Sequence, residues 1–229
     1  MNSITALLPL KANSTRVPRK NFRSFCGKPL YRWMLDTLLS LKEIDQIVIN
    51  TDARQDLIAL GLPDDSRVVI RDRRAQICGD DVSMNRIIED DIASIQSDTY
   101  LMTHTTNPLL ESVTIRNAMA TYYDERDKNR HDSLFTVNRI QTRFYRKDGI
   151  PVNHDPKDLI PTQNLEPWFE ENSNLYIFSR DSFQATGNRI GKNPFLYESP
   201  PLTSIDIDTE RDWAMATAMQ KFTEGSTNQ

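Results

Sequence analysis

Short apolar runs alternate along the chain with stretches whose apolar residues fall at helical spacing. Residues 4–10 form the first run and end in a polar, proline-bearing stretch, 11–21. After Pro29, the residues Leu30, Trp33, Met34, Leu38 and Leu39 share one helical face. Residues 44–50 read as the second strand, with Thr51 and Asp52 at its carboxyl edge. Asp52 is placed to cap a helix over 54–60, which stops at Gly61 and Pro63. Residues 67–71 predict a third strand, 83–95 a helix, 99–103 a strand, 111–123 a third long helix and 133–137 a strand. Strands written as continuous apolar runs between helices argue for a parallel sheet covered on both faces.

The alternation breaks at 139–172, which has little helical period and carries Pro151, Pro156, Pro161 and Pro167. Phe144, Tyr145, Trp168 and Phe169 supply apolar area there, so the segment reads as an insertion rather than a linker. Residues 175–179 and 204–207 restore the strand pattern. A helix over 210–222 carries Trp213, Ala216, Met219 and Phe222. The expected architecture is α/β and Rossmann-like: a mostly parallel sheet with helices on both faces and a small inserted subdomain. Its core comprises 1–138 and 173–223, with the insertion at 139–172 and a flexible tail at 224–229.

Composition narrows the choice of function. Charged residues make up 26% of 229 and the formal net charge is −4, which gives no basic footprint for nucleic acid. Apolar runs stay far short of the roughly 20 residues a membrane helix needs. Asn2 and Ser3 run straight into the first strand, so no secretory leader is expected and the chain reads as cytoplasmic. Cys26 and Cys78 are too few for a disulfide framework or a zinc site. The seven glycines include no G-x-G-x-x-G and no P-loop pattern.

In an open α/β sheet, ligands bind beyond the carboxyl ends of the strands. Three polar clusters fall there: 11–21, 103–108 and 206–208. The first places Lys11, Arg16, Arg19 and Lys20 beside Asn13, Ser14, Thr15 and Asn21. Such a loop offers cations and backbone N–H groups to a polyphosphate, although a charge run is more often a solvated loop. In the third cluster, alternation puts Ile205 and Ile207 on one side and Asp206 and Asp208 on the other. Two carboxylates on one face suit a hard cation such as Mg²⁺, whose remaining positions water and phosphate oxygens fill. Capping of the next helix by Asp208 or Thr209 is the plainer alternative and is compatible with a metal. His104, after the 99–103 strand, is more often a hydrogen-bonding loop residue than a general base.

These segments resemble, in order, the acylneuraminate cytidylyltransferase family, the CMP-sialate and CMP-ketodeoxyoctonate synthetases. LLPLKANSTRVPRKN resembles that family's phosphate loop, P-A-R-x-x-S-K/T-R/G-x-P-x-K-N, with Lys11 at the arginine and Asn13, Ser14, Arg16, Pro18, Lys20 and Asn21 at matching places. INTDARQDLIALG looks like its second strand and helix. RRAQICGDDVSMN resembles the R-P-x-x-L-x-x-D segment, which puts Arg73 and Asp80 on its Arg and Asp. HTTNPLL looks like the Q-P-T-S-P-L turn, with His104 at the glutamine and Thr106 and Pro108 at their equivalents. SIDIDTERD is close to S-I-D-I-D-T-x-x-D, whose aspartates, here Asp206 and Asp208, hold Mg²⁺.

The resemblance implies an enzyme that joins CTP to a 3-deoxy-2-ulosonic acid, giving the CMP-sugar and pyrophosphate. It implies Lys11, Arg16 and Lys20 on the leaving pyrophosphate, and Asn13, Ser14, Asn21, Arg73, Asp80 and Thr106 on the nucleotide. It implies His104, Arg143, Glu170 and Asn172 on the sugar, and a homodimer closed by the insertion. In FEENSNLYIF, Glu170 stands where sialate enzymes carry the arginine that grips the sugar carboxylate. Arg143 therefore replaces it as the cation, or the acid differs. Two readings from other classes stay open: a metal-dependent D-x-D glycosyltransferase that uses a preformed nucleotide sugar, and a non-catalytic nucleotide-binding protein.

Overall fold

The computed structural model of the chain describes residues 3–227. From the amino end run β1 (Ile4–Leu7), the small hairpin β2 (Ser24–Phe25) and β3 (Lys28–Pro29), α1 (Leu30–Leu39), β4 (Gln46–Thr51), α2 (Arg54–Leu60) and β5 (Val68–Asp72). Then come α3 (Met84–Ser94), β6 (Thr99–Thr103), α4 (Ser112–Asp127) and β7 (Ser133–Ile140). They are followed by β8 (Trp168–Phe178), α5 (Arg180–Thr186), β9 (Pro194–Glu198) and α6 (Glu210–Thr227). The main sheet has seven strands in the order β5-β4-β1-β6-β8-β7-β9. Pairing is parallel everywhere except along both edges of β8, which runs antiparallel to β6 and β7.

Strand side chains alternate between two covered faces. Ala6, Leu8, Ile47, Ile49 and Leu101 pack with Tyr31, Met34 and Leu38 of α1, Leu57 of α2 and Ile115 of α4. Leu7, Val48, Tyr100 and Met102 face the other way, onto Ile88 and Ile92 of α3 and Phe183 of α5. Burial on both faces is what makes β1, β4 and β6 read as unbroken apolar runs. Each large side chain fully buried there contributes about 1.5–3 kcal/mol. A third cluster, Val17, Phe25, Leu30, Ile207, Trp213 and Ala216, lies under the loop that leaves β1. It fixes α6 against that loop. Among the described residues no helix is long and apolar enough to cross a membrane.

Several expectations are corrected. Residues 204–207 form no strand: Ile207 N–H donates one backbone bond to Thr106 O at 2.8 Å, and no ladder follows. Its alternation arises because Ile205 and Ile207 pack into the third cluster. Of the expected tail, residues 224–227 continue α6, and 228–229 lie outside the described residues. The segment 139–172 is also more regular than its composition suggests. Its ends belong to β7 and β8, paired Ile140↔Trp168, Arg139↔Phe169 and Asn138↔Glu170, so the irregular part is 141–167. Asp52 does not cap α2; its carboxylate accepts the Ala12 N–H at 2.7 Å and ties down the start of the basic loop.

Candidate active site

A cleft of about 540 Å³ opens at the carboxyl ends of β1, β5 and β6. Of the residues singled out above, it gathers Lys11, Ser14, Arg16, Lys20, Asn21, Arg73, Asp80, His104, Thr106, Asp206 and Asp208. Asn13 is exposed and, like Arg143, Glu170 and Asn172, does not line it. The Arg143 guanidinium donates to Ile160 O at 2.6 Å, inside the 141–167 loop. Glu170 accepts from Asn138 on the exposed arm of β7 and β8. Asn172 is buried and its amide donates to Asn138 and Ser199.

The basic loop is held from beneath. Val17 is fully buried, and the Asn21 amide donates to Lys11 O at 2.8 Å while accepting from Thr105 Oγ1 at 2.6 Å. That bond couples the loop to the turn after β6. Arg19 takes a left-handed backbone (φ 51°) and turns its guanidinium to Asp56, away from the cleft lining. Lys11 and Thr15 both bind Asp80, whose carboxyl they hold below the usual range.

Asp208 Oδ1 meets Arg16 Nη2 at 2.9 Å and Lys20 Nζ at 3.2 Å, and Lys20 also donates to Ile207 O. Asp206 is different: its Oδ1 is buried and has no hydrogen-bond partner. Burial, then the charge of Asp208, push its carboxyl pKa up, and a hydrogen bond from Thr106 opposes them. A buried carboxylate oxygen without a partner is costly unless a cation completes it. The pair with its hard oxygen donors therefore fits Mg²⁺. Among the described residues no third metal-ligating side chain joins the group, as expected for an ion that keeps waters and phosphate oxygens. Thr209 and Asp212 cap α6 reciprocally: Thr209 N–H reaches Asp212 at 2.7 Å and Asp212 N–H reaches Thr209 Oγ1 at 3.3 Å. Capping thus falls to residues other than Asp206 and Asp208.

Arg73 knits the strand ends, with Nε on Asn50 Oδ1 and Nη2 on Leu10 O and Asn50 O, all at 2.9–3.1 Å. Asn50 in turn donates to Asp91, a fully buried carboxyl whose pKa is pushed up to about 6, chiefly by desolvation. A raised carboxyl pKa gives stability that is complete below the unfolded value of 3.8 and lost as pH rises through the native one. Relative to Asp91→Asn, the wild-type protein is therefore expected to lose stability from about pH 4 to about pH 6, with no further change above. Urea unfolding of both proteins across that range checks it, and parallel curves would contradict it.

Burial, reinforced by Arg189 and Lys20, pushes His104 down to about 3, so it is a neutral imidazole at working pH. A neutral imidazole can donate or accept a hydrogen bond but takes up no proton at that pH. Sequence reasoning placed Thr15 and Thr105 in the polar clusters without a role of their own, and it missed Ser173 and Arg189, which also line the cleft. Ser173 reaches the cleft through an irregularity in β8: Phe135 pairs with Tyr176 but Val137 with Glu171, leaving residues 172–175 opposite Thr136. Ser173 there takes φ 58°, and bulges of this kind re-aim strand residues beside sites.

Comparison with known proteins resolves the class. The family model described as Cytidylyltransferase matches residues 5–224. The chain belongs to this family. This cytidylyltransferase is 28% identical over 236 residues to a CMP-N,N'-diacetyllegionaminic acid synthase of Legionella pneumophila, covering 96% of this chain and 97% of that protein. It is 26% identical over 222 residues to an N-acylneuraminate cytidylyltransferase of Oncorhynchus mykiss, covering 93% of this chain. It spans about half (49%) of that longer protein. Among solved structures, CMP:2-keto-3-deoxy-manno-octonic acid synthetase complexed with CTP shares the fold with a TM-score of 0.66, at 13% identity, over 96% of this chain and 99% of that one.

Proposed function

We propose that this cytidylyltransferase transfers CMP from CTP to a 3-deoxy-2-ulosonic acid and releases pyrophosphate. The observation that carries the proposal is the Asp206–Asp208 pair, one oxygen buried and unpartnered, facing a loop of cations in one cleft. The names of the Legionella and trout relatives point to the same class of acceptor. A CTP-consuming enzyme works where CTP is made, which favours the cytoplasm.

The anomeric hydroxyl attacks the α-phosphorus, forming one P–O bond as the α-phosphorus bond to the bridging oxygen of the β-phosphate breaks, and the hydroxyl proton leaves to solvent. Such transfers depend on positioning and charge neutralisation more than on covalent chemistry by the protein. Lys11 and Arg16 neutralise the departing pyrophosphate, exchanging Asp80 and Asp208 for phosphate oxygens. Lys20, buried and bound to Ile207 O, fixes Asp208 and adds its charge to that of Lys11 and Arg16 on the leaving phosphates. Ser14, Asn21, Arg73 and Thr106 shape the nucleotide side, and neutral His104 offers a hydrogen bond to the acceptor. Asp206 and Asp208 would hold Mg²⁺, which when bound supplies charge stabilisation at the α-phosphate. Pyrophosphate release from CTP, dependent on the added ulosonic acid, tests the reading. Consumption of preformed CMP- or UDP-sugars without that release would replace it.

The acceptor side is completed, in this reading, by a second copy of the chain. The arm of β7, β8 and residues 141–167 exposes Trp168, Phe169, Tyr145, Ile150 and Leu159, an apolar surface of the kind that marks an interface. Phe144 stacks on Trp168 with centroids 4.9 Å apart, giving the arm a firm aromatic base. Glu170, on this arm, meets sugar only across such a contact. Removal of 141–167 is expected to yield a monomer by light scattering that still binds CTP. A deletion variant that stays dimeric would contradict the interface.

A further inference from the structure

With Glu170 on the outer arm and Arg143 bound within its loop, the cleft needs another cation for an acidic acceptor. In a 2-ulosonic acid the carboxylate sits on the carbon that bears the reacting hydroxyl. Whatever binds it must line the cleft beside Asp206 and Asp208. Arg189 does so, between α5 and β9.

Its backbone is fixed before any ligand arrives. Arg189 N–H donates to Asn85 Oδ1 at the start of α3 at 3.3 Å, Ile190 N–H to Asn188 Oδ1 and Gly191 N–H to Ser133 Oγ. The guanidinium lies over the Tyr176 ring, 3.8 Å from its centroid, which sets the plane of the fork. Nη2 donates to Tyr176 Oη at 2.9 Å and touches Glu171 Oε1 at 3.3 Å. Nη1 meets the Met102 sulfur at 3.8 Å, a weak acceptor. Glu171 reaches this position through the β8 bulge. Residues five apart in a regular strand face opposite sides, yet here the Tyr176 hydroxyl donates to Glu171. A half-exposed carboxylate on a loose contact thus accompanies an arginine whose side chain is only 16% exposed. Arg189 lines one cleft with His104, Lys20, Asp206 and Asp208.

We propose that Arg189 is the carboxylate-binding residue of the acceptor site, its fork taking the substrate's carboxylate in place of the contact with Glu171. This rests on the ulosonic-acid reading above. Tyr176 and Met102 hold the guanidinium plane, and the pinned loop removes most of the cost of ordering it.

The test compares wild type, Arg189→Gln and Arg189→Lys with the best acceptor from a panel of ulosonic acids and with its methyl ester. A charge-assisted bond is worth about a factor of 10 to 150. Arg189→Gln is therefore expected to raise KM for the acid by about that factor. The same variant should erase the wild-type preference for acid over ester. Arg189→Lys should recover part of both, and the Kd for CTP, measured by calorimetry, should stay within about twofold. An unchanged KM for the acid, a retained acid-over-ester preference, or an equal loss of CTP binding would each overturn the assignment while leaving the transferase reading intact. A wild-type enzyme that uses no acid in the panel would instead overturn the ulosonic-acid reading, and this assignment with it.

Discussion

Asp206→Asn is expected to lower turnover about a thousandfold while leaving the fold intact, because a metal-held charge at the reacting phosphate is worth several kcal/mol. The buried position of this carboxyl gives the variant a second signature. Its raised pKa means that the ionised side chain costs the unliganded protein stability at neutral pH. Replacing it by a neutral amide therefore holds or raises the melting temperature of the free protein. The wild type should gain stability when Mg²⁺ is added with CTP, and Asp206→Asn should lose that gain. Near-full activity in the variant, or an undiminished Mg²⁺ response, would show that the buried oxygen has another role.

The second large effect is expected at Lys20. Its ammonium is bound to Ile207 O and Asp208, with the side chain only 10% exposed. Lys20→Ala leaves a carbonyl and a carboxylate short of a partner at the point where Asp208 is aimed. Asp208 is 41% exposed and screened by solvent, so the loss falls below the roughly 2–5 kcal/mol of a fully buried pair. CTP should weaken more than CMP, since the positive charge removed belongs to the side of the loop that meets the leaving phosphates. Calorimetry with both nucleotides reads this directly, and equal losses would move Lys20 away from the β- and γ-phosphates. Arg16 is more exposed, so Arg16→Ala should show the same order with a smaller size.

Much of this was legible in the sequence for a simple reason. β1, β4 and β6 are buried on both faces, so each is an apolar run whose carboxyl end is marked by the first polar residues. Those polar residues are the site. The basic loop and the turn after β6 follow from placing those strands, whereas the aspartate pair shows itself by its alternation with Ile205 and Ile207. β9 was missed because it is an edge strand that starts with Pro194 and is only partly buried, so it has neither a run nor a clean alternation. Residues 204–207 misled in the opposite sense. One-sided packing of Ile205 and Ile207 produces the pattern of a strand without its ladder.

The acceptor side was illegible because its placement depends on a backbone irregularity. Nothing in Asn172-Ser173-Asn174 announces four residues opposite one on the neighbouring strand. Arg189 likewise stands in a polar loop with no spacing signal. Its significance comes from Tyr176, Met102 and Asn85, which are distant in sequence. Conversely, Arg143 and Glu170 attracted notice by charge and by place in a motif, and the fold sets both on the arm outside the cleft.

One cleft is expected to bring CTP, a divalent cation and an acidic sugar together. Phosphorus NMR of the wild-type protein with CTP, Mg²⁺ and each of several 3-deoxy-2-ulosonic acids tests it most directly. Pyrophosphate and a CMP-sugar phosphodiester should appear in equal amounts with at least one acid, and neither when the acid is omitted. CTP left intact with every acid, or hydrolysed at the same rate without one, would contradict it.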